Sequence, residues 1–169
     1  AASVDCKSLG LTAPARIKEA GKFTVASDLS YAPMEFVKEG TNTPIGADVD
    51  FANCIAAAWG VKAEVQNTPF DAIIPALTGK KADVIMSSMT ASDERKKQVD
   101  FTTPYNKTPI WMIGPKSTKS DDISPAALKG KSIGAQGSTI HANYIEKYYK
   151  DSTPRLYPTQ EEANLDLIN

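Results

Sequence analysis

Residues 70–105 read FDAIIPALTGKKADVIMSSMTASDERKKQVDFTTPY. This stretch predicts, in order, a helix, a buried strand over Ala82–Met86, a polar turn, a short helix, a strand and an exit from the domain. The turn, Ser87-Ser88-Met89-Thr90, sets hydroxyls at the carboxyl end of an apolar run, and Arg95 follows one short helix later. A guanidinium is a planar fork that takes a carboxylate in two parallel hydrogen bonds. Open α/β sheets bind ligands outside the carboxyl ends of their strands. Hydroxyls and a guanidinium at that place suit a small carboxylate.

Strand and helix alternate on both sides of this segment. Thr12–Ala20 reads as a short helix, with Thr12 as its cap, Pro14 in its first turn and Gly21 at its end. Phe23–Ala26 is a strand, Asp50–Trp59 an Ala-rich helix stopped by Gly60, and Val61–Val65 a second strand. Phe70–Leu77 is a helix whose Pro75 must lie near its start. This βαβαβ order predicts an α/β fold with a parallel sheet and right-handed crossovers. Farther on, Thr108–Gly114 reads as a long apolar strand and Ser132–Ala135 as another. Ser138–Tyr149 is a helix, Arg155–Tyr157 a short strand and Glu161–Ile168 a terminal helix.

Composition narrows the function classes. The 169 residues suffice for one ordinary domain or two small lobes, and 41% hydrophobic content is enough for a packed core. A net charge of −1 gives no basic stripe for nucleic acid. No apolar run approaches the ~20 residues that span a bilayer, so direct membrane insertion is not expected. The start lacks the charged and apolar regions of a signal peptide, and Ala1-Ala2 reads as either the remnant of cleavage or a chain start. The single histidine, His141, and two cysteines, Cys6 and Cys54, offer no metal spacing and no Cys-His catalytic set. A disulfide between the cysteines requires an oxidising compartment and suitable geometry.

Four segments together carry a family resemblance: FTVASDLSYAPMEF at 23–36, GADVDF at 46–51, the stretch quoted above, and GKSIGAQGST at 130–139. In this order and spacing the chain resembles a periplasmic solute-binding protein of the polar amino-acid ABC-transporter type, family 3, from about Gly21 to the last residue. The resemblance implies a two-lobed fold with parallel sheets flanked by helices. Residues 1–20 would be an N-terminal extension with a short helix, 21–103 the first lobe, 104–108 a hinge and 109–169 part of a second lobe. The family continues past the counterpart of Asn169 with a further strand, an Asp that holds the ligand's ammonium, and a return segment. The chain is therefore expected to be truncated, with an incomplete second lobe, exposed sheet edges, weak ligand affinity, and a tendency to self-associate or to take up a complementary fragment.

The resemblance also implies roles for particular residues. Arg95 binds the ligand's α-carboxylate, and Ser88, Thr90 and more weakly Ser87 contact its polar groups. Phe70 and Tyr31 lie along its side chain, and Asp28 meets that side chain's far end. In the second lobe Thr139 reaches the same carboxylate as Arg95, while Ser138 serves equally well as a ligand contact or as an ordinary helix cap. Ile140 stands where binders of basic amino acids are often polar, which counts against arginine or lysine. GAQGST is not a dinucleotide fingerprint. Met34 and Glu35 receive no role. The expected function is extracytoplasmic, periplasmic capture of a polar amino acid or an opine for an ABC-transporter permease, without catalysis, metal or cofactor. The alternatives are a periplasmic dehydratase acting on arogenate or prephenate and the ligand-binding module of a sensory receptor. For the dehydratase Asp28 and Glu35 are the candidate acids, and no paired-carboxylate arrangement is visible to support them.

Overall fold

The computed structural model describes residues 5–169; Ala1 and Ala2, read above as a cleavage remnant or chain start, lie outside them. The chain divides into two compact units, one running through Val99 and the other spanning Asp100–Asn169.

The first unit is built on a parallel sheet. Strand β1 (Lys22–Ser27) lies at its centre. After the hairpin strands β2 (Ser30–Tyr31), β3 (Glu35–Val37) and β4 (Pro44–Ile45), helix α2 (Ala47–Trp59) leads to β5 (Lys62–Asn67). A 3-10 turn, Phe70–Ala72, and helix α3 (Ile73–Thr78) then lead to β6 (Val84–Ile85) on the other side of β1. The order β5-β1-β6 with both pairings parallel is the predicted βαβαβ unit. Side chains alternate across β1. Phe23 and Val25 face Ile17, Ala52, Ala56 and Met86, whereas Ala26 packs with Ile73 and Ala82. Burial on both faces is what a parallel sheet with crossover helices requires. The hairpin strands form a separate antiparallel sheet, β2-β3-β4, in a stretch to which the sequence pattern assigns no element.

Helix α1 (Ala15–Ala20) is shorter than predicted. Pro14 is its N-cap, and Thr12, three residues before Ala15, is too far out to cap it. Helix α2 begins three residues before the expected Asp50, at Ala47, because Gly46 opens it with φ 121° and ψ 173° and no side-chain cap. A Cβ at Gly46 would press into the Met34 carbonyl oxygen. Strand β6 is shorter than Ala82–Met86, although the Asp83 and Met86 N–H groups extend its pairing to the Thr24 and Ala26 carbonyls. Pro75 falls in the first turn of α3, where its missing N–H costs nothing. Cys6, in a 3-10 turn (Cys6–Leu9), is joined by a disulfide to Cys54 of α2.

The last element of this unit is the short helix α4 (Asp93–Lys96). No strand follows it before Tyr105. The expected strand Thr108–Gly114 is likewise absent; its Ile110, Trp111 and Ile113 are exposed. An extended apolar run becomes a strand only when another backbone pairs with it, and none of the described segments does. The second unit instead centres on β7 (Ser132–Gln136) paired in parallel with β8 (Thr153–Tyr157). Helix α5 (Ile140–Tyr148) joins them, and α6 (Gln160–Ile168) follows, opened by a capping box between Thr159 and Glu162. Ala135, Ile145 and Tyr149 form its core, and the Tyr149 hydroxyl donates to the Ile123 carbonyl at 2.7 Å.

Candidate functional site

In the sheet order β5-β1-β6 the chain leaves β1 toward one side and returns on the other. The carboxyl ends of β1 and β6 are therefore the switch point at which an open α/β sheet forms its crevice. Asp28 follows β1, and Ser87 and Ser88 follow β6. The Asp28 N–H donates to Ser87 Oγ at 2.9 Å, so the two strand ends are tied together. Asp28 is 7% exposed, and its carboxylate accepts the Ser30 hydroxyl at 2.6 Å.

The two serines are turned inward. Ser87 Oγ donates to Glu35 Oε1 at 3.1 Å. Ser88 holds the left-handed conformation at φ 47°, its N–H donates to Asp48 Oδ2 at 2.8 Å, and its hydroxyl stands 3.3 Å from both Asp48 Oδ2 and Glu35 Oε2. Glu35 and Asp48 thus meet at the Ser88 hydroxyl, and burial, then the neighbouring Asp48, pushes the Glu35 carboxyl up to about 9. Nothing in the sequence marks Glu35 and Asp48 as a pair; the fold brings the two carboxylates together at Ser88. The missed signal is the alignment of two segments, APMEF and GADVD, which meet only when Met34 O accepts the Asp48 N–H at 2.9 Å.

A second group forms around the guanidinium. Arg95 lies over the Phe70 ring, 5.3 Å from its centroid, and donates to the Thr90 carbonyl at 2.9 Å. The side chain is half-buried, and burial lowers its pKa from the ordinary value. Arginine nevertheless keeps its charge in proteins, so a cation is held over an aromatic face. Ser92 caps α4 by accepting the Arg95 N–H at 3.3 Å, which leaves Thr90 exposed. Tyr31, on β2, is 41% exposed.

In the second unit the helix cap falls to Thr139 and not to Ser138. Thr139 is buried; its hydroxyl donates to the Gln136 carbonyl at 2.6 Å and accepts the Ala142 N–H at 3.2 Å. Ser138 is exposed at φ 60° just before it. Among the described residues no group of three or more His, Cys, Asp or Glu side chains is placed to hold a metal, and no helix is long and apolar enough to cross a membrane.

Comparison with known proteins places the chain in a family. The family model described as bacterial extracellular solute-binding proteins, family 3, matches residues 23–169. The chain is 30% identical over 192 residues to the octopine-binding periplasmic protein of Rhizobium meliloti, covering 99% of this chain and 64% of that protein. It is 33% identical over 144 residues to a putative ABC transporter arginine-binding protein of Escherichia coli, covering 85% of this chain and 58% of the other. The chain thus spans less than two thirds of these relatives. Among solved structures, it resembles an amino acid ABC transporter substrate-binding protein from Streptococcus pneumoniae bound to L-arginine, with TM-score 0.84, 32% identity and 90% and 65% of the two chains covered. An ancestral amino acid-binding protein, a precursor of cyclohexadienyl dehydratase, matches with TM-score 0.81 and 30% identity over 90% and 68%.

Proposed function

The chain belongs to the bacterial extracellular solute-binding proteins of family 3, and on that premise we propose that it serves in periplasmic capture of a polar amino acid or a related compound such as an opine, for delivery to an ABC-transporter permease. The observation that carries the proposal is the half-buried Arg95 guanidinium, held over Phe70 by the Thr90 carbonyl beside the switch point of the sheet. Phe70 and the Thr90 carbonyl hold the guanidinium from two sides, and holding a group in place lowers the ordering cost of binding.

In this reading Arg95 takes the α-carboxylate, with Ser88 and Thr90 on the same wall. Phe70 and Tyr31 line the ligand's aliphatic part, and Asp28 meets its distal end. Ser87 contributes by holding Asp28 and Glu35. In the second unit the proposed ligand contacts are Thr139, which also caps α5, and Ser138, exposed just ahead of it. Residues 21–103 would act as one lobe and 109–169 as part of the other, joined at 104–108. In this reading the protein performs no chemistry, which is supported by Glu35, the acid with the raised pKa, being 1% exposed and turned inward onto Ser87 and Ser88.

The test is calorimetry on the full-length protein with octopine, arginine, glutamine and glutamate. At least one should bind, and Arg95→Ala should weaken it by about 30- to 5,000-fold, the cost of removing one partner of a buried charged pair. An Arg95→Ala affinity within twofold of wild type overturns the assignment. Turnover of arogenate or prephenate overturns the non-catalytic reading.

A further inference from the structure

Glu35 and Asp48 are 1% and 2% exposed and are among the largest side chains buried in the molecule. A carboxylate buried without a cation is costly, and two side by side are more so. Asp48 sits in the first turn of α2, near the positive end of the helix, and accepts the Ser88 N–H at 2.8 Å. Glu35 accepts the Ser87 hydroxyl at 3.1 Å, and the Ser88 hydroxyl stands 3.3 Å from both Glu35 Oε2 and Asp48 Oδ2. Two carboxyls buried this deeply around one hydroxyl avoid repulsion when one of them carries a proton, and Glu35, pushed up to about 9 by burial and by Asp48, is its holder at neutral pH. The frame around the pair is rigid. The Ala47 and Asp48 N–H groups donate to the Pro33 and Met34 carbonyls at 3.2 and 2.9 Å, and Gly46 lets the two backbones approach. The surrounding elements bring few other titratable groups: Tyr31 from β2, in register with Glu35, and Asp28 from the end of β1. Strand β4 and residues 86–88 bring none.

We propose that Glu35 and Asp48 form a two-carboxyl clamp that fixes the Ser87-Ser88 turn, and that through this turn they position the ligand-facing wall of the first unit. Both are positioning residues: they reach the site only through the two serines. The ligand half of the proposal rests on the binding function above, whereas the clamp itself does not. Its proton makes the clamp sensitive to pH. The folded carboxyl of Glu35 lies above its unfolded value, so the stability it confers is fully present below about pH 4.5 and is lost progressively as pH rises toward about 9. Above that, two adjacent buried anions repel and the turn is released.

The experiment compares wild-type full-length protein with Glu35→Gln and Glu35→Ala by urea unfolding from pH 5 to 9.5, by infrared absorption of protonated carboxyl groups at pH 7, and by hydrogen exchange of the Ser88 amide. Glutamine carries a permanent donor toward Asp48 and does not titrate. The wild type should lose up to tenfold in its folding constant per pH unit relative to Glu35→Gln, one proton's worth of linkage. Glu35→Gln should also lack one protonated-carboxyl band and keep Ser88 protected at pH 9.5, where the wild type exchanges faster. Glu35→Ala should expose Ser88 at every pH; if it fails to fold, the Gln comparison still decides. Parallel pH slopes, or no difference in the infrared band, overturn the clamp. Where octopine or another amino acid binds, wild-type affinity should fall above pH 9 and that of Glu35→Gln should not. If the linkage is present but no amino acid binds at any pH, the clamp stands and the binding function is what fails.

Discussion

Replacing Gly46 with alanine should unsettle the first unit more than any other single methyl group added to it. Gly46 opens α2 at φ 121° and ψ 173°, a region reserved almost wholly to glycine. The added Cβ would press into the Met34 carbonyl oxygen and lie 2.7 Å from its carbon and 2.9 Å from the Pro33 oxygen. All three atoms are backbone, so no side chain can swing away. The backbone strain alone costs about 1–3 kcal/mol. Relief requires moving β3 away from α2, which breaks the hydrogen bonds from Ala47 and Asp48 to the Pro33 and Met34 carbonyls, each worth about 1 kcal/mol. The expected total is about 3–5 kcal/mol, a large share of a typical domain's stability. Gly60→Ala is the matched control, because Gly60 ends the same helix at φ 71° with nothing within 4 Å of a new Cβ; it should cost about 1–2 kcal/mol. Urea unfolding followed by circular dichroism measures both, and Gly46→Ala should lower the midpoint by about 2 M at an ordinary slope. Equal losses for the two variants would refute the close approach of β3 and α2 and, with it, the frame that holds Glu35 against Asp48.

Reducing the disulfide or replacing Cys6 and Cys54 with serine opens a loop with a sequence separation of 48 residues, and the chain-entropy model puts the loss near 4 kcal/mol; an unchanged urea midpoint with and without reductant would contradict it. Asp28→Asn should weaken binding of arginine and lysine roughly tenfold more than that of glutamine or glutamate if Asp28 meets the ligand's distal end. An equal change across the four would reassign Asp28 to holding its turn, where it accepts the Ser30 hydroxyl.

The alternating core of the first unit was readable because each element announces itself locally. The run Ala82–Met86 is apolar, Ala-rich α2 ends at Gly60, and Ser92 stands three residues before Arg95, where a cap belongs. The placing of Arg95 beside Phe70 was half legible: both residues stood out, but their stacking depends on how α4 folds back. Glu35 and Asp48 were not legible at all. Their pairing needs the β2-β3 hairpin, an α2 that starts without a capping side chain, and a left-handed Ser88, none of which follows from periodicity. Thr139 displaced Ser138 as cap because its hydroxyl also reaches the Gln136 carbonyl, a contact fixed by the end of β7. Thr108–Gly114 failed as a strand for the opposite reason: strand propensity is local, but a strand's hydrogen bonds are not.

The sequence contains two tryptophans, and the fold gives them unlike surroundings. Trp59 closes α2 with its indole edge-on to Phe23, centroids 5.0 Å apart, in the core of the first unit. Trp111 belongs to the second unit and is 80% exposed. The molecule therefore carries two natural fluorophores, one shielded and one open to a dissolved quencher. Added acrylamide silences the light from Trp111 and leaves an emission that reports Trp59. Unfolding of the first unit can then be followed by colour and intensity in the unlabelled chain, separately from whatever the second unit does.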